Sequence, residues 1–383
     1  MLQRIYLDNA ATTSVRKEVV EEMLPYFTTM YGNPSSSHFF GRETKMAIEN
    51  ARKQVAKAIN AQTKEVYFTA GGSESDNWAI MAIVKANNER GKHIITTTIE
   101  HHAVLHACQH MQKDGYRVTY VPVDEFGMVK VEDVKNAICD DTVLITIMTA
   151  NNEIGTIQPI AEIGEIAREA GILFHTDAVQ AVGSIAIDVQ ELKVDMLSMS
   201  AHKLNGPKGI GALYIRKGVQ TENLIFGAPQ ERGLRAGTEN VPAIVGFGKT
   251  IELANAELEE HQKHLISMRE RFIQGILQSI TQVRLNGHQT KRLPGNVNIS
   301  FANVDARALL TNLDLVGIAA SGGSACTSGS LEASHVLQAI ALPYDIARGS
   351  VRFSFGRNNT MEEVEIALEK LRDIVKKLRE NNT

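Results

Sequence analysis

The chain has 383 residues with 40 basic and 44 acidic side chains, and its formal charge of −4 offers no basic surface to nucleic acid or an anionic membrane. At this length a single core is expected to divide, which leaves room for two domains and a sizeable buried site for a small ligand. Cys108, Cys139 and Cys326 are an odd set with no C-x-x-C pair, which fits a reducing, cytoplasmic setting better than a disulfide framework or a zinc ribbon.

The N-terminal MLQRIYLDNAATT has no long apolar core and no small-residue cleavage site, and no run of about 18 apolar residues follows it, so neither a secretory leader nor a membrane span is expected. From about residue 65 to 216, the β-rich runs EVYFTA, HIITTT, RVTYVPV, VLITIMTA, GILFHTDA and DMLSMS alternate with helix-like segments. That alternation predicts βα units and a mostly parallel sheet covered by helices, with ligands gathered at the carboxyl ends of the strands. An irregular helical pattern over roughly 250–280 is expected to connect this layer to a second one. There, NVNISF and SVRFSF read as strands and a closing helix follows, with Thr360 and Glu363 as its capping box and Val364, Leu368, Leu371, Val375 and Leu378 as its apolar stripe. The expected division is a large α/β domain over 14–255 and a smaller α+β domain made of 1–13 and 256–383.

Several strand ends carry candidate chemistry. FHTDAVQ places Asp177 and Gln180 just past one apolar strand, and SMSAHKLNGPKG places Ser200, His202 and Lys203 past another. A lysine whose amine is made nucleophilic there can form a Schiff base, and pyridoxal phosphate needs such a lysine with a carboxylate at its ring nitrogen. A strand-end Asp in a turn and a solvated Lys explain the same two pieces. In FTAGGSESDNWAI, Gly72 and Ser73 open a helix after a strand and suit an anion. VGFGKT at 245–250 lacks the first glycine of a nucleotide-binding loop, Ala243 standing in its place. His102, His106 and His110 are spaced by four, yet no second ligand set completes a metal site, so they read as a half-exposed helix face. His101, opening that helix, is placed to stack on a flat ring or to shuttle a proton. In SVRFSF, Arg352 falls on the face opposite Val351 and Phe353, as a fork for a carboxylate or as a solvated strand residue. Cys326 stands in SGGSACTSGS, which has no branched aliphatic or aromatic side chain to pack a core.

These stretches, with YLDNAATT, GNPSSSH, EHHAV, NNEIGTIQPI, RAGTEN, SLEASHVL and VRFSFGR, resemble in order the pyridoxal-phosphate-dependent cysteine desulfurases of the nitrogen-fixation and iron–sulfur-cluster type, within the class V aminotransferase-like group. The resemblance spans nearly the whole chain. It implies a fold-type I transferase and a homodimer. It implies that Lys203 carries the cofactor, Asp177 holds the ring nitrogen, His101 stacks on the ring and Gln180 lies near the phenolic oxygen. Gly72, Ser73, Ser200 and His202 would hold the phosphate, with Thr238 reaching the phosphate of a partner subunit. Arg352 and Asn152, with Asn33, would hold the carboxylate of L-cysteine. Cys326 would accept sulfur as a persulfide and pass it to an acceptor protein such as an iron–sulfur scaffold. Amino-group transfer, selenocysteine cleavage and a non-catalytic sulfur-carrier scaffold are the competing readings.

Overall fold

A computed structural model describes residues 4–322 and 334–380. Its strands are β1 (Ile5–Tyr6), β2 (Val66–Thr69), β3 (His93–Thr97), β4 (Arg117–Val121), β5 (Thr142–Thr146), β6 (Leu173–Asp177), β7 (Met196–Ser200), β8 (Gly211–Ile215), β9 (Val283–Asn286), β10 (Asn296–Phe301), β11 (Ile318–Ala319) and β12 (Ser350–Ser354). Seven of them form one sheet in the order β2-β8-β7-β6-β5-β3-β4. β8 alone runs opposite to the other six.

Strands β3, β5, β6, β7 and β8 are buried along their whole length, because helices cover both faces of the sheet. Successive side chains point to opposite faces. Ile95, Ile145, Phe174, Leu197 and Tyr214 therefore enter one core with Val55 and Phe247. Their chain neighbours Ile94, Leu144, Leu173, Met196 and Leu213 enter another with Trp78 and Met111.

The run GALYI was not among the expected strands. A Cβ at Gly211 would stand 2.4 Å from the Met199 carbonyl and 2.8 Å from the Gly71 backbone, so the glycine that weakens the strand signal is what lets β8 lie against the Gly71 turn. VGFGKT lies inside the helix Val241–Ala256 and forms no nucleotide loop. A Cβ at Gly248 would sit 2.6 Å from Ala51 Cα, so this glycine serves close packing against the helix Phe39–Ala58.

The helical pattern expected over 250–280 is two helices, Val241–Ala256 and Leu258–Ser279, interrupted at Glu257 (φ −104°, ψ 7°). Arg16 Nη1 donates to Glu257 Oε2 at 2.7 Å, and Arg357 binds the same carboxylate. Beyond the break, β9, β10 and β12 form an antiparallel sheet in the order β12-β10-β9, and β1 pairs in parallel with β11. Ile5 and Leu7 pack with Phe272, Val297, Phe301, Val351, Phe353 and Leu371 in a core of their own. The closing helix Met361–Glu380 has the expected cap: Glu363 N donates to Thr360 Oγ1 at 3.2 Å and Thr360 N to Glu363 Oε2 at 3.1 Å. Among the described residues no helix is long and apolar enough to cross a membrane.

Candidate active site

The carboxyl ends of β2, β3, β5, β6 and β7 open on one side of the large sheet, and β12 approaches from the smaller layer. Between them lies a cavity of about 260 Å³. Ten of the residues singled out in the sequence line it: Gly72, Ser73, His101, Asn152, Asp177, Gln180, Ser200, His202, Lys203 and Arg352.

Each reaches the cavity through its local structure. Asp177 ends β6, and its Oδ1 accepts from Val179 N at 2.9 Å, which fixes the carboxyl at the strand end. Ser200 ends β7, and the single turn Ala201–Lys203 brings Lys203 back over the opening. Lys203 Nζ donates to the carbonyls of Ala10 at 2.6 Å and Ala11 at 2.8 Å, and Gln180 Nε2 donates to Ala10 O at 3.0 Å. The segment after β1 thus serves as the floor for both side chains. His101 is the N-cap of the helix His102–Lys113, its Nδ1 accepting from Ala103 N at 3.2 Å. His202 Nδ1 lies 3.1 Å from Thr12 Oγ1.

Burial governs the charges. Asp177 is pushed up by desolvation, while His101 and Lys203 act in the opposite direction and favour its carboxylate. His101 is lowered, mainly by burial. His202 falls to about 4 through burial, then Lys203 and Lys208, and is neutral at physiological pH. Glu100, fully buried, rises to about 8.

Arg352, 2% exposed, donates from Nη1 to Asn152 O at 2.9 Å and from Nη2 to Asp8 Oδ1 at 2.8 Å. Its Nε has no hydrogen-bond partner among the described residues. Backbone pairing with Ser321, by bonds of 2.7 and 3.1 Å, fixes the strand on its other edge. The solvated alternative for this arginine is excluded.

Three predicted residues are not in this constellation. Asn33 is exposed, and its Oδ1 accepts from Ser35 N at 2.9 Å to close a turn. Thr238 is exposed and lines no part of the cavity. Cys326 lies outside the described residues. His106 and His110 are exposed on one helix face, whereas His102 turns to the cavity wall with its ring 4.9 Å from that of His335.

Residue-by-residue reading missed the buried acids and the second shell of this wall. Asp76 lines the cavity, is raised well above its ordinary range by burial and by Asp177, and has an Oδ1 that makes no hydrogen bond among the described residues and lies 3.7 Å from His175 Nε2. Glu153 accepts from Ser334 Oγ at 2.5 Å, and His335 Nε2 lies 2.9 Å from Glu100 O. Asp8 and Asp76 sit inside YLDNAATT and SESDN, where adjacency to conspicuous motifs was the available signal.

Comparison with known proteins gives this geometry a lineage. The class-V aminotransferase pattern matches residues 5–367. The chain belongs to the class-V aminotransferase family. Among relatives in this family, a protein named cysteine desulfurase IscS from Methanosarcina thermophila is 58% identical over 98% of this chain and 93% of its own length. One of the same name from Clostridium botulinum is 54% identical over 99% and 96%. A solved structure titled NifS-like protein superposes with a TM-score of 0.92 at 40% identity, covering 98% of this chain and all of that one. Another, titled SspA in complex with cysteine, has a TM-score of 0.82 at 36% identity, covering 92% and 99%. The α/β fold with a mostly parallel sheet is that of these class-V relatives.

Class-V enzymes of this kind depend on pyridoxal phosphate, and the residues present suit it. An amine and a carboxyl face one cavity from adjacent strand ends. A Cβ at Gly72 would stand 2.5 Å from Val179 Cγ2, so the chain passes bare backbone along the wall where the Ser73 and Ser200 hydroxyls also lie. That combination suits a phosphate.

Proposed function

We propose that this chain is a pyridoxal-phosphate-dependent cysteine desulfurase that converts L-cysteine to L-alanine and transfers the sulfur to Cys326. The observation that carries the reading is the convergence of Lys203, Asp177, His101 and Arg352 on one cavity, in a chain 58% identical to a relative of that name.

When bound, the cofactor supplies an electron sink for the carbon bearing the substrate amine. Lys203 would hold it, and its amine would hold and move the proton at that carbon. Asp177 would hold the ring nitrogen in its protonated form, and His101 would lie against the ring. Gly72, Ser73, Ser200 and His202 hold the phosphate, and Gln180 the phenolic oxygen. Arg352 and Asn152 orient the substrate carboxylate, with the buried guanidinium excluding water from that end. The overall exchange balances without an external oxidant. The Cys326 thiol and L-cysteine give a Cys326 persulfide and L-alanine, the substrate C–S bond breaking, an S–S bond forming and a proton returning to carbon.

A second copy of the chain is part of this reading. Tyr31, Phe39 and Phe40 cluster with ring centroids 5.6 and 4.2 Å apart, and Tyr31 and Phe39 are 66% and 56% exposed. Exposed rings and an exposed Thr238 are what a dimer with a shared phosphate site requires. The domain boundaries inferred from the sequence, a cytoplasmic location and a sulfur-acceptor protein complete the proposal.

The test is mass spectrometry of the protein after brief incubation with L-cysteine and no reductant. Alanine together with one added sulfur on Cys326 is the expected result. Alanine with Cys326 unmodified, or continued turnover to alanine in Cys326→Ser, removes the thiol from the reaction, and absence of both products overturns the desulfurase reading.

A further inference from the structure

The opposite edge of the large sheet carries a cluster that the reaction does not use. His93 opens β3, Arg117 opens β4, and Cys139 and Asp141 lie in the turn that enters β5. Cys139 Sγ is 3.1 Å from His93 Nδ1 and 3.1 Å from Asp141 Oδ1. One ligand atom from each of the three residues lies within 4.8 Å of the other two.

The arrangement is supported from behind. His93 is fully buried, and its Nε2 lies 2.8 Å from Thr119 Oγ1, which fixes the ring; Nδ1 lies 2.8 Å from Thr142 Oγ1 and 3.1 Å from Cys139 Sγ, so a metal at Nδ1 would replace the threonine contact. The turn is tied by Thr142 N to Cys139 O at 2.9 Å and by Cys139 N to Thr142 Oγ1 at 2.9 Å, while His93 N donates to Asp141 O at 2.9 Å. A nitrogen, a sulfur and a carboxylate oxygen held on a common backbone frame make a donor set with the softness of zinc rather than magnesium or calcium. The second-shell contact on the far ring nitrogen is the usual companion of a metal-bound imidazole.

Arg117 stands in the position of the cation. Its Nη2 is 3.0 Å from Cys139 Sγ and 2.8 Å from Asp141 Oδ1. Its side chain is 55% exposed, so it can leave toward solvent without unpacking the sheet. Tetrahedral zinc with its ordinary bond lengths to sulfur and nitrogen separates those two ligands by about 3.5 Å. The observed 3.1 Å therefore needs an opening of only a few tenths of an ångström.

We propose that His93, Cys139 and Asp141 form a three-ligand site for zinc or a similar divalent transition metal, with water as the fourth ligand and Arg117 displaced on binding. His93 is distant in sequence from Cys139 and Asp141, which share one turn, and pairing of β3 with β5 brings the three together. The site joins the amino ends of two central strands while the catalytic cavity lies at their carboxyl ends, so occupancy bears on stability rather than on the reaction.

The experiment is titration of the purified holoenzyme with cobalt(II), scoring the sulfur-to-cobalt charge-transfer band and the visible bands of tetrahedral cobalt as a difference from the metal-free spectrum. One cobalt per chain, lost in Cys139→Ser and weakened in Asp141→Asn but retained in Cys326→Ser, is the expected result. Arg117→Ala should tighten binding several-fold, because a competing cation is gone. Cys139→Ser should keep its turnover of L-cysteine, which shows that the variant folds. Bands that survive in Cys139→Ser and vanish in Cys326→Ser, or no thiolate band at all, would overturn the proposal.

Discussion

Arg352 and Asp8, 344 positions apart in the chain, meet through a 2.8 Å bond that ties the N-terminal segment to β12 beside the cavity. With Nη1 committed to Asn152 O, the guanidinium is held in one orientation before any ligand arrives. On the role proposed for it, replacement by alanine removes charge-assisted bonds to a substrate carboxylate. Arg352→Ala should lower kcat/KM for L-cysteine by about 10–10²-fold, mostly through KM. Arg352→Lys keeps the charge but not the fork, and should recover only part of that loss. Steady-state kinetics on variants with wild-type circular dichroism check this, and a lysine variant with full activity would show that geometry at this position is unimportant.

Gly72 and Val179 face each other at the cavity wall. Gly72→Ala places a methyl 2.5 Å from Val179 Cγ2, and the resulting overpacking should destabilise the protein by about 1–3 kcal/mol and weaken cofactor retention. The next nearest atoms to that methyl are at 3.7 Å, so trimming the valine relieves the clash. The double variant Gly72→Ala/Val179→Ala should regain much of the cofactor absorbance and melting temperature lost in the single one. Equal losses in both would place the cause elsewhere.

Burial raises Glu100 from 4.5 to about 8. The folded state therefore keeps this proton while the unfolded chain releases it. The associated stability is fully present below about pH 4.5 and declines as pH rises toward 8, above which the contribution is flat. Glu100→Gln cannot ionise and its amide oxygen can still accept from Met148 N, as the carboxyl oxygens do at 3.0 and 3.1 Å. Thermal melts of the two proteins should diverge between pH 5 and pH 8.5, with the glutamine variant gaining relative to wild type at the higher pH. A constant difference across that range would show that Glu100 is not the titrating group.

Arg52 and Glu231, 3% and 2% exposed, form a two-pronged pair at 2.6 and 2.8 Å, and Glu231 also accepts from Phe68 N at 2.9 Å. Glu231→Ala leaves a buried guanidinium and a buried amide without this partner. The expected cost is about 3–5 kcal/mol, read as a fall in urea midpoint with little change in slope. Because Glu231 precedes the loop that bears Thr238, the same variant should also weaken self-association in sedimentation. A loss below about 1 kcal/mol would mean that water replaces the pair.

Apolar periodicity was enough to read the parallel strands, because residues such as Ile94 and Ile95 are each buried on opposite faces of the sheet. The antiparallel β8 escaped notice since its first residue is a glycine chosen for close approach to Gly71. The break at Glu257 carries no proline or glycine, and what makes it visible is tertiary: two arginines from distant segments converge on that carboxylate. In the site, residues that end strands were legible from their motifs and from the family resemblance. Asp76, Glu100 and Glu153 were not, because a lone acid in sequence does not reveal whether its surroundings exclude water. Asn33 illustrates the converse: its motif stands out, yet its amide oxygen is used in a local turn.

The pairing of Ser321 with Arg352 sets a radius of delivery. Cys326 stands five residues beyond Ser321, so covalent geometry alone confines its Cα to within about 18 Å of that anchor, which is itself bonded to the strand that carries Arg352. On the role proposed for this thiol, a protein that collects its sulfur must bring an acceptor atom to the edge of that circle or inside it. The docking surface open to such a receiver is thereby bounded by five residues of chain, and lengthening or shortening that span should change which receivers can be served.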